Sequence, residues 1–383
     1  MGMHRSLRVY DRNVIMTAPF HIARPFSRLF LVGDNAPWVL SEEVRSVHAI
    51  ATQLGIDAEV VENTSHVHRQ SIFYISRYAL FQSLDSDRDN RLGLAYFHGT
   101  PGTGHPEFDT MFARLRERHE RISRVQVSYS EMEDLMMRTG MDRSKIHRIP
   151  LGIAIEMFRF RGAEDRSRAR DALGIPPTAF LVGSFQKDGN GWGDGTAPKL
   201  IKGPDVFLRV LAAVRQRIPG LTVLLTGPAR GYVKQGLDQL RIPYIHRHLE
   251  RYEDIAGCYH AIDAYVVASR QEGGPKAILE SMASGAPLVT TRVGQAIDLV
   301  RHGVNGWMSA SEDVDHLAAG LLTVHQDPLR WLTITKAGRI TAEGHSYGNQ
   351  LSLWQRFFQG FVEMPIRTDM LTGERTGAGR VTA

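Results

Sequence analysis

With 383 residues, 43% hydrophobic and 23% charged, the chain is too apolar for a disordered polymer and long enough for two domains, each with its own core. Its single cysteine, Cys258, excludes an intrachain disulfide and points to the cytoplasm; no apolar run approaches the roughly 18 residues of a spanning helix, and Arg5, Arg8, Asp11 and Arg12 stand where a secretion signal would be apolar. A formal charge of +5 favours anionic partners such as phosphorylated ligands, acidic lipid or nucleic acid, without choosing among them.

In chain order, Arg28–Val32 reads as a strand, 42–54 as an amphipathic helix stopped by Gly55, 58–61 as a strand and 92–97 as a strand before a glycine-rich loop. Arg114, Arg116, Arg118, His119, Arg121 and Arg124 form the densest basic stretch, read as helical. Two uses are open to it, a solvated face or a surface that leans on anionic lipid. The polar stretch 161–177, ending in Ile175-Pro176-Pro177, is where one domain gives way to the next. The rhythm then repeats, with strands at 179–185, Leu221–Thr226, 264–268 and 287–290 and helices at 204–217 and 275–284. Alternation of this kind, occurring twice, predicts an α/β chain of two doubly wound Rossmann-like domains facing a cleft. Near the end, 351–362 has helical apolar spacing with Trp354, Phe357, Phe358 and Phe361, followed by a frayed tail.

Doubly wound sheets bind ligands outside the carboxyl ends of their strands, so loops after strands carry the chemistry. The strongest is Ser269-Arg270-Gln271-Glu272-Gly273-Gly274-Pro275-Lys276-Ala277-Ile278-Leu279-Glu280. A strand ends at Ala268, a turn carries Glu272, Gly273 and Gly274, and Pro275 opens a helix where its missing N–H costs nothing. The amides of Lys276, Ala277 and Ile278 would then point unpaired at the cleft, and unpaired N–H groups together with the helix dipole suit a phosphate. Glu280, on the same helix, is placed to accept hydrogen bonds from hydroxyls. In the first half, Tyr96-Phe97-His98-Gly99-Thr100-Pro101-Gly102 puts His98 on a flexible loop after a strand, where a cleft residue and a buried structural histidine are both open readings.

The glutamate pair, followed by Met282-Ala283-Ser284-Gly285-Ala286-Pro287, Val293-Gly294-Gln295, Asp298 and His302-Gly303-Val304-Asn305-Gly306, resembles the retaining GT-B glycosyltransferases of family four. Their hallmark is two glutamates separated by seven residues ahead of Met-Ala-x-Gly-x-Pro. The resemblance runs from about Leu94 to the C-terminal helix and is weak before that. It implies the GT-B fold and a retaining transfer of sugar from a nucleotide-diphosphate sugar to an unidentified acceptor: a glycan, a lipid-linked sugar or a small molecule. It implies that Glu272 faces the donor sugar, that Glu280 holds the ribose hydroxyls, and that His98 touches the transferring sugar. Gly273, Gly274, Pro275, Lys276 and Ala277 would border the donor, and Lys202 in Ile201-Lys202-Gly203 would grip its diphosphate.

Residues 1–165 would form the acceptor-side domain and 166–345 the donor-side domain. The helix within 346–366 would cross back to the first domain, and 367–383 would be a flexible tail. Neither a metal nor another cofactor is implied, nor a nucleic-acid partner; the setting is cytoplasmic, with the inner membrane face as an option.

Several positions depart from the family pattern. Ser184 stands where an arginine usually follows the strand glycine, and Lys187 offers a charge nearby, although an ammonium does not reproduce a bidentate guanidinium. The glycine-rich stretch from Asp188 to Gly195 fits a lid or a plain surface excursion, and Leu151 replaces the usual asparagine. After the first strand, paired glycines give way to Gly33-Asp34-Asn35-Ala36-Pro37-Trp38. Gly33, Asp34, Trp38 and Gly102 are therefore the acceptor-side candidates, with Trp38 suited to stacking on a sugar or to filling a core.

Asp85-Ser86-Asp87-Arg88-Asp89 looks like a metal motif, but Tyr96 stands where an EF-hand needs its bidentate glutamate, so a solvated loop is expected. His246-Arg247-His248 reads as surface. A nicotinamide enzyme is disfavoured because no Gly-x-Gly-x-x-Gly follows an early strand. A GT-B phosphorylase or synthase-type enzyme and an inactive GT-B scaffold remain the alternatives, the latter opposed by Glu272, Glu280 and Lys202.

Overall fold

Short apolar runs buried on both faces build the strands, as parallel sheets demand when helices cover each side. The computed structural model describes residues 24–33 and 39–365. Its first unit runs β1 (Arg28–Val32), α1 (Val39–Gln53), β2 (Asp57–Val60), β3 (Ser71–Tyr74), α2 (Arg77–Ser83), β4 (Arg91–Ala95), α3 (Pro106–Arg118), β5 (Ile122–Val127), α4 (Ser130–Met137) and β6 (Ile146–Arg148). The second runs α5 (Ala163–Leu173), β7 (Phe180–Ser184), α6 (Pro204–Val214), β8 (Leu221–Thr226), α7 (Gly231–Leu240), β9 (Tyr244–Arg247), α8 (Ile255–Ala261), β10 (Ala264–Val267), α9 (Lys276–Ser284), β11 (Leu288–Thr291), α10 (Ala296–Leu299), β12 (Trp307–Ser309), α11 (Val314–Gln326) and α12 (Pro328–Gly344). The helix α13 (Leu351–Phe358) follows.

The two sheets are parallel and six-stranded, ordered β2-β1-β3-β4-β5-β6 and β12-β11-β10-β7-β8-β9. Strand order reverses between β1 and β3 in the first sheet and between β7 and β10 in the second, and the crevice at such a point is where this kind of sheet takes ligands. Register pairs Ala264 with Val182 and Tyr265 with Gly183, so the loops after β7 and β10 emerge side by side. The alternation in the sequence therefore translates into two doubly wound units. Among the described residues no helix is long and apolar enough to cross a membrane.

Several local expectations need correcting. The strand expected at 92–97 ends at Ala95, and the helix expected at 204–217 stops at Val214. The charge-rich stretch 161–177 holds α5, where Arg170 is buried against Asp263 at 3.1 Å and also donates to the carbonyl of Ala179. The basic stretch is α-helical to Arg118 and a 3-10 turn over His119–Arg121. Arg121 donates to the carbonyls of Asp87 and Arg88, and Arg124, on β5, donates to those of Phe357 and Gln359. Asp87 is not solvated but buried, accepting hydrogen bonds from Thr64 and Tyr74.

The apolar face of α13 lies on the first sheet. Trp354, Phe357, Phe358 and Phe361 are buried among Leu29, Leu31 and Phe73, with Phe357 and Phe73 ring centroids 4.9 Å apart. The tail expected at 367–383 lies outside the described residues.

Candidate active site

The second reversal point assembles its site from two loops. Gly203, with φ of +62°, is obligatory: a Cβ there would sit 1.9 Å from the carbonyl oxygen of Ala268, so only glycine lets the loop after β7 cross the end of β10. That crossing delivers Lys202, whose Nζ donates to both carboxylate oxygens of Glu272 at 2.6 Å. Ser269 adds a hydroxyl to Glu272 Oε1 at 2.9 Å. Glu272 is buried because the turn after it presses on the first unit. A Cβ on Gly273 would lie 2.5 Å from Phe97 Cβ, and Ser128 Oγ donates to the Gly273 carbonyl at 2.8 Å. Gly274 packs equally tightly, against Leu151, whose amide donates to Gln295 Oε1 at 3.1 Å. Asp298 closes the same seam by accepting from the amide and hydroxyl of Ser130 at 2.8 and 2.6 Å.

Helix α9 begins one residue later than expected, because Pro275, with ψ of 107°, caps it from outside. The Pro275 carbonyl takes the amide of Ile278 at 3.0 Å, which removes that N–H from the expected trio. The amides of Lys276 and Ala277 have no acceptor among the described residues and keep the phosphate-binding character of a helix start. The Lys276 side chain turns the other way, into the interface between units. There it lies 3.4 Å from Glu43 of α1 and donates to Tyr347 at 2.9 Å. Burial opposes its charge, yet Glu43 and Tyr347 outweigh that and hold the ammonium above the usual lysine range.

Glu280 is buried apart from the Lys202–Glu272 pair. It accepts hydrogen bonds from Tyr252 and, at 2.8 Å, from Tyr259, and burial pushes its carboxyl up. With Lys276, Tyr252, Tyr347 and Phe158 it lines a cavity of ≈ 10 Å³, room for about one water.

His98 is half-buried beyond the end of β4, its ring edge-on to Phe108 at 5.9 Å. Arg77, the first residue of α2, donates to the His98 carbonyl and stacks 5.4 Å from Tyr96 and 5.2 Å from Phe108. The Tyr96 hydroxyl holds the Gly99 carbonyl at 2.8 Å. Burial first, then the positive charges of Arg77, Lys202 and Lys199, push the His98 imidazole well below its ordinary range. Lys202 and Lys199 belong to the other unit, so His98 looks across the cleft at them. In a proton NMR titration the His98 ring is expected to stay neutral through pH 6, and Arg77→Met is expected to move its titration upward. A ring that titrates near 6.5 in both proteins would remove His98 from this electropositive setting.

A buried arginine lies beneath Ser184. Arg230, 1% exposed, donates to the carbonyls of Ser184 and Thr226 at 2.7 and 2.8 Å, to Ser184 Oγ at 3.0 Å and to Asp188 Oδ1 at 2.9 Å. The ammonium of Lys187 lies 3.6 Å from the ring centroid of the exposed Trp192. The glycine-rich loop is fastened at its base: Asn190 N donates to Ala197 O at 2.8 Å, Gly231 N to Asp194 O at 2.6 Å and Tyr232 N to Gly195 O at 2.9 Å.

Of the residues expected to face an acceptor, Gly33 follows β1 against Val44 and Gly102 donates its amide to Asp109 at 2.7 Å; Asp34 and Trp38 lie outside the described residues. His246 donates to or accepts from no metal-like cluster but contacts the Gly227 carbonyl at 2.8 Å, and no group of three metal-ligating side chains occurs among the described residues. The sequence reading passes over Arg77, Arg230 and Lys199. Arg77 and Arg230 both follow strands, in Ile75-Ser76-Arg77 and Gly227-Pro228-Ala229-Arg230, and that position is the signal that could have found them.

The family model for glycosyl transferases group 1 matches residues 195–327. A D-inositol 3-phosphate glycosyltransferase of Mycobacterium marinum is 28% identical over 205 residues, 50% of this chain and 39% of the relative. One from Actinosynnema mirum is 30% identical over 234 residues, 57% of this chain and 51% of the relative. The chain thus spans about half the length, or less, of these curated relatives. Among solved structures, Anabaena HepE in complex with UDP and glucose superposes with a TM-score of 0.72 at 19% identity, covering 87% of this chain and all of that one. Sucrose-phosphate synthase from Thermosynechococcus elongatus gives 0.70 at 16%, covering 87% of this chain and 98% of that one. At such identities the likeness establishes the fold. Residues 195–327 of the second unit thus match the glycosyl transferases group 1 family, and the paired doubly wound sheets are the GT-B fold.

Proposed function

We propose that this chain is a retaining glycosyltransferase that takes a hexose from a uridine-diphosphate sugar. The Lys202–Glu272 pair beside the two open amides of α9 is the observation that carries the reading: a cation and a helix start for a diphosphate, next to a carboxylate for the sugar. HepE, whose fold is alike, binds UDP-glucose, which supports the choice of donor. As the donor enters, Lys202 exchanges the Glu272 carboxylate for the diphosphate. Glu272 then orients the sugar hydroxyls and stabilises the oxocarbenium-like transition state. Lys202 and the amides of Lys276 and Ala277 take the negative charge developing on the departing diphosphate. The acceptor attacks from the face the diphosphate leaves, so the anomeric configuration is kept without a covalent intermediate.

His98, neutral, completes the sugar pocket from the first unit, and Glu280 takes the ribose hydroxyls once the donor widens the water-sized cavity around it. Exposed arginines 114, 116 and 118 of α3, on the acceptor half, suit a lipid-linked acceptor at an anionic membrane face.

The test is a panel of sugar nucleotides read by thermal stabilisation, since a ligand at ~100 times its dissociation constant adds about 2.7 kcal/mol. NMR of the product from an α-linked donor is expected to show an α-linkage. A β-linkage overturns retention, and stabilisation by inorganic phosphate with none by any sugar nucleotide turns the assignment to a phosphorylase.

A further inference from the structure

We propose that Lys199 is a second phosphate-binding residue of the cleft, acting beside Lys202 in the role that the absent arginine at position 184 cannot fill. The inference rests on the donor reading above for its location, not for its chemistry.

The case begins with the charges around the cleft. Lys202 is paired with Glu272, Arg270 with Asp205 and Glu312, Arg230 with Asp188, and Lys276 with Glu43. Lys187 rests on the Trp192 ring. Lys199 is half-buried, yet its ammonium meets no carboxylate or hydrogen-bond acceptor among the described residues. Glu272 and Glu107 act on it only from a distance, and a partly desolvated cation with no carboxylate in contact is stabilised when an anion arrives.

Geometry aims Lys199 where Lys202 already points. The amide of Lys202 donates to the carbonyl of Lys199 at 2.8 Å, closing a 3-10 turn over Leu200–Lys202. Lys199 caps that turn, and the positive charges of both lysines bear on the His98 ring, so the two ammonium groups face the same space. The crowding is visible in the proton affinity of Lys199, which burial lowers first and the neighbouring Lys202 lowers further. Only Lys202 touches a carboxylate, Glu272, while Glu272 and Glu107 pull on Lys199 without contact, which leaves its ammonium open to a ligand's negative charge. A diphosphate or a phosphate monoester carries that charge.

The glycine-rich loop explains how the chain builds this arrangement. Asp188 is anchored by the buried Arg230, and the Asp188 carbonyl receives the amide of Lys199 at 2.7 Å. Gly189 and Pro198 form a bridge just inside that link. The excursion between them is thereby stapled shut, and its exit residue is set one 3-10 turn ahead of Lys202. Seen this way the loop is neither a lid nor idle surface: its base positions a cation.

Phosphate oxygens could come from the donor diphosphate or from a phosphorylated acceptor, and two titrations of the full chain separate them. In the first, UDP is titrated calorimetrically into the wild type, Lys199→Met and Lys199→Arg. Met keeps the apolar stem and Arg the charge. A charge-assisted hydrogen bond of about 1.5 to 3 kcal/mol predicts a ten- to hundredfold weaker affinity in Lys199→Met, largely recovered in Lys199→Arg, with a shallower dependence on salt in the Met variant. In the second, inorganic phosphate is titrated into UDP-saturated protein. Loss of that binding in Lys199→Met, with UDP affinity intact, assigns Lys199 to an acceptor phosphate. Affinities unchanged in both titrations overturn the proposal. A wild type that ignores UDP yet binds inorganic phosphate through Lys199 would sink the donor reading alone.

Discussion

Replacing Glu272 by glutamine is expected to lower turnover by about a hundred- to a thousandfold while leaving UDP affinity unchanged or slightly tighter. The substitution keeps the shape of the side chain and its bond from Ser269, so the turn that packs Gly273 on Phe97 survives. What it removes is the negative charge. In the ligand-free protein that charge holds Lys202 at 2.6 Å, and an incoming diphosphate would have to draw the ammonium away. Without the competitor Lys202 is free for the diphosphate, which is why binding does not suffer. The transition state does suffer, because the developing positive charge on the sugar loses its carboxylate. Loss confined to turnover marks an interaction made in the transition state. An undiminished turnover number in this variant would remove Glu272 from the mechanism, and a parallel collapse of UDP affinity would make it a mere part of the binding surface.

The second large effect belongs to stability. Arg230→Met is expected to destabilise the second unit by about 3–5 kcal/mol, because it strands Asp188 as an unpaired buried carboxylate. At about 2–4 °C per kcal/mol this lowers the melting temperature by roughly 6–20 °C. Asp188 Oδ2 already lacks a hydrogen-bond partner, and burial raises the carboxyl's proton affinity even with Arg230 in place. Removing the guanidinium raises it further. A carboxyl held above its unfolded value binds more protons in the folded state, so its contribution is fully present below the unfolded pKa and is lost as pH rises through the folded one. The variant should therefore melt closest to the wild type at acid pH and fall behind toward neutrality. Adding Asp188→Asn is expected to recover at least half of the loss. Equal melting of Arg230→Met and wild type at pH 7 would show that the pair contributes nothing.

What the sequence reveals, and what it hides, follows from the range of the forces involved. Glu272, Lys202 and the start of α9 are legible because turn glycines, a proline and an apolar strand are local signals, and because the ligand-binding end of a strand is known once the strand is. The Rossmann rhythm of the second unit is legible for the same reason. The first unit reads less well: β3 has four residues, all buried, too short to show a period, and without it Arg77 has no visible role. Long-range partners are hidden altogether. Nothing near Asp87 in the chain announces that Tyr74 and Thr64 will bury it, and nothing near Arg124 announces the carbonyls of Phe357 and Gln359. The two tyrosines on Glu280 and the indole beneath Lys187 belong to the same class.

The placement of α13 bears on how the polypeptide is made. A ribosome releases the first sheet's strands through β6 long before it reaches Trp354 and Phe361, and at about 5–20 residues per second the interval is roughly 10 to 40 s. Throughout that time Leu29, Leu31 and Phe73 lack the aromatic side chains that cover them in the finished protein. The nascent first half is thus obliged to wait with a sticky groove, an address for a chaperone that binds apolar surface. Its groove closes only when α13 docks.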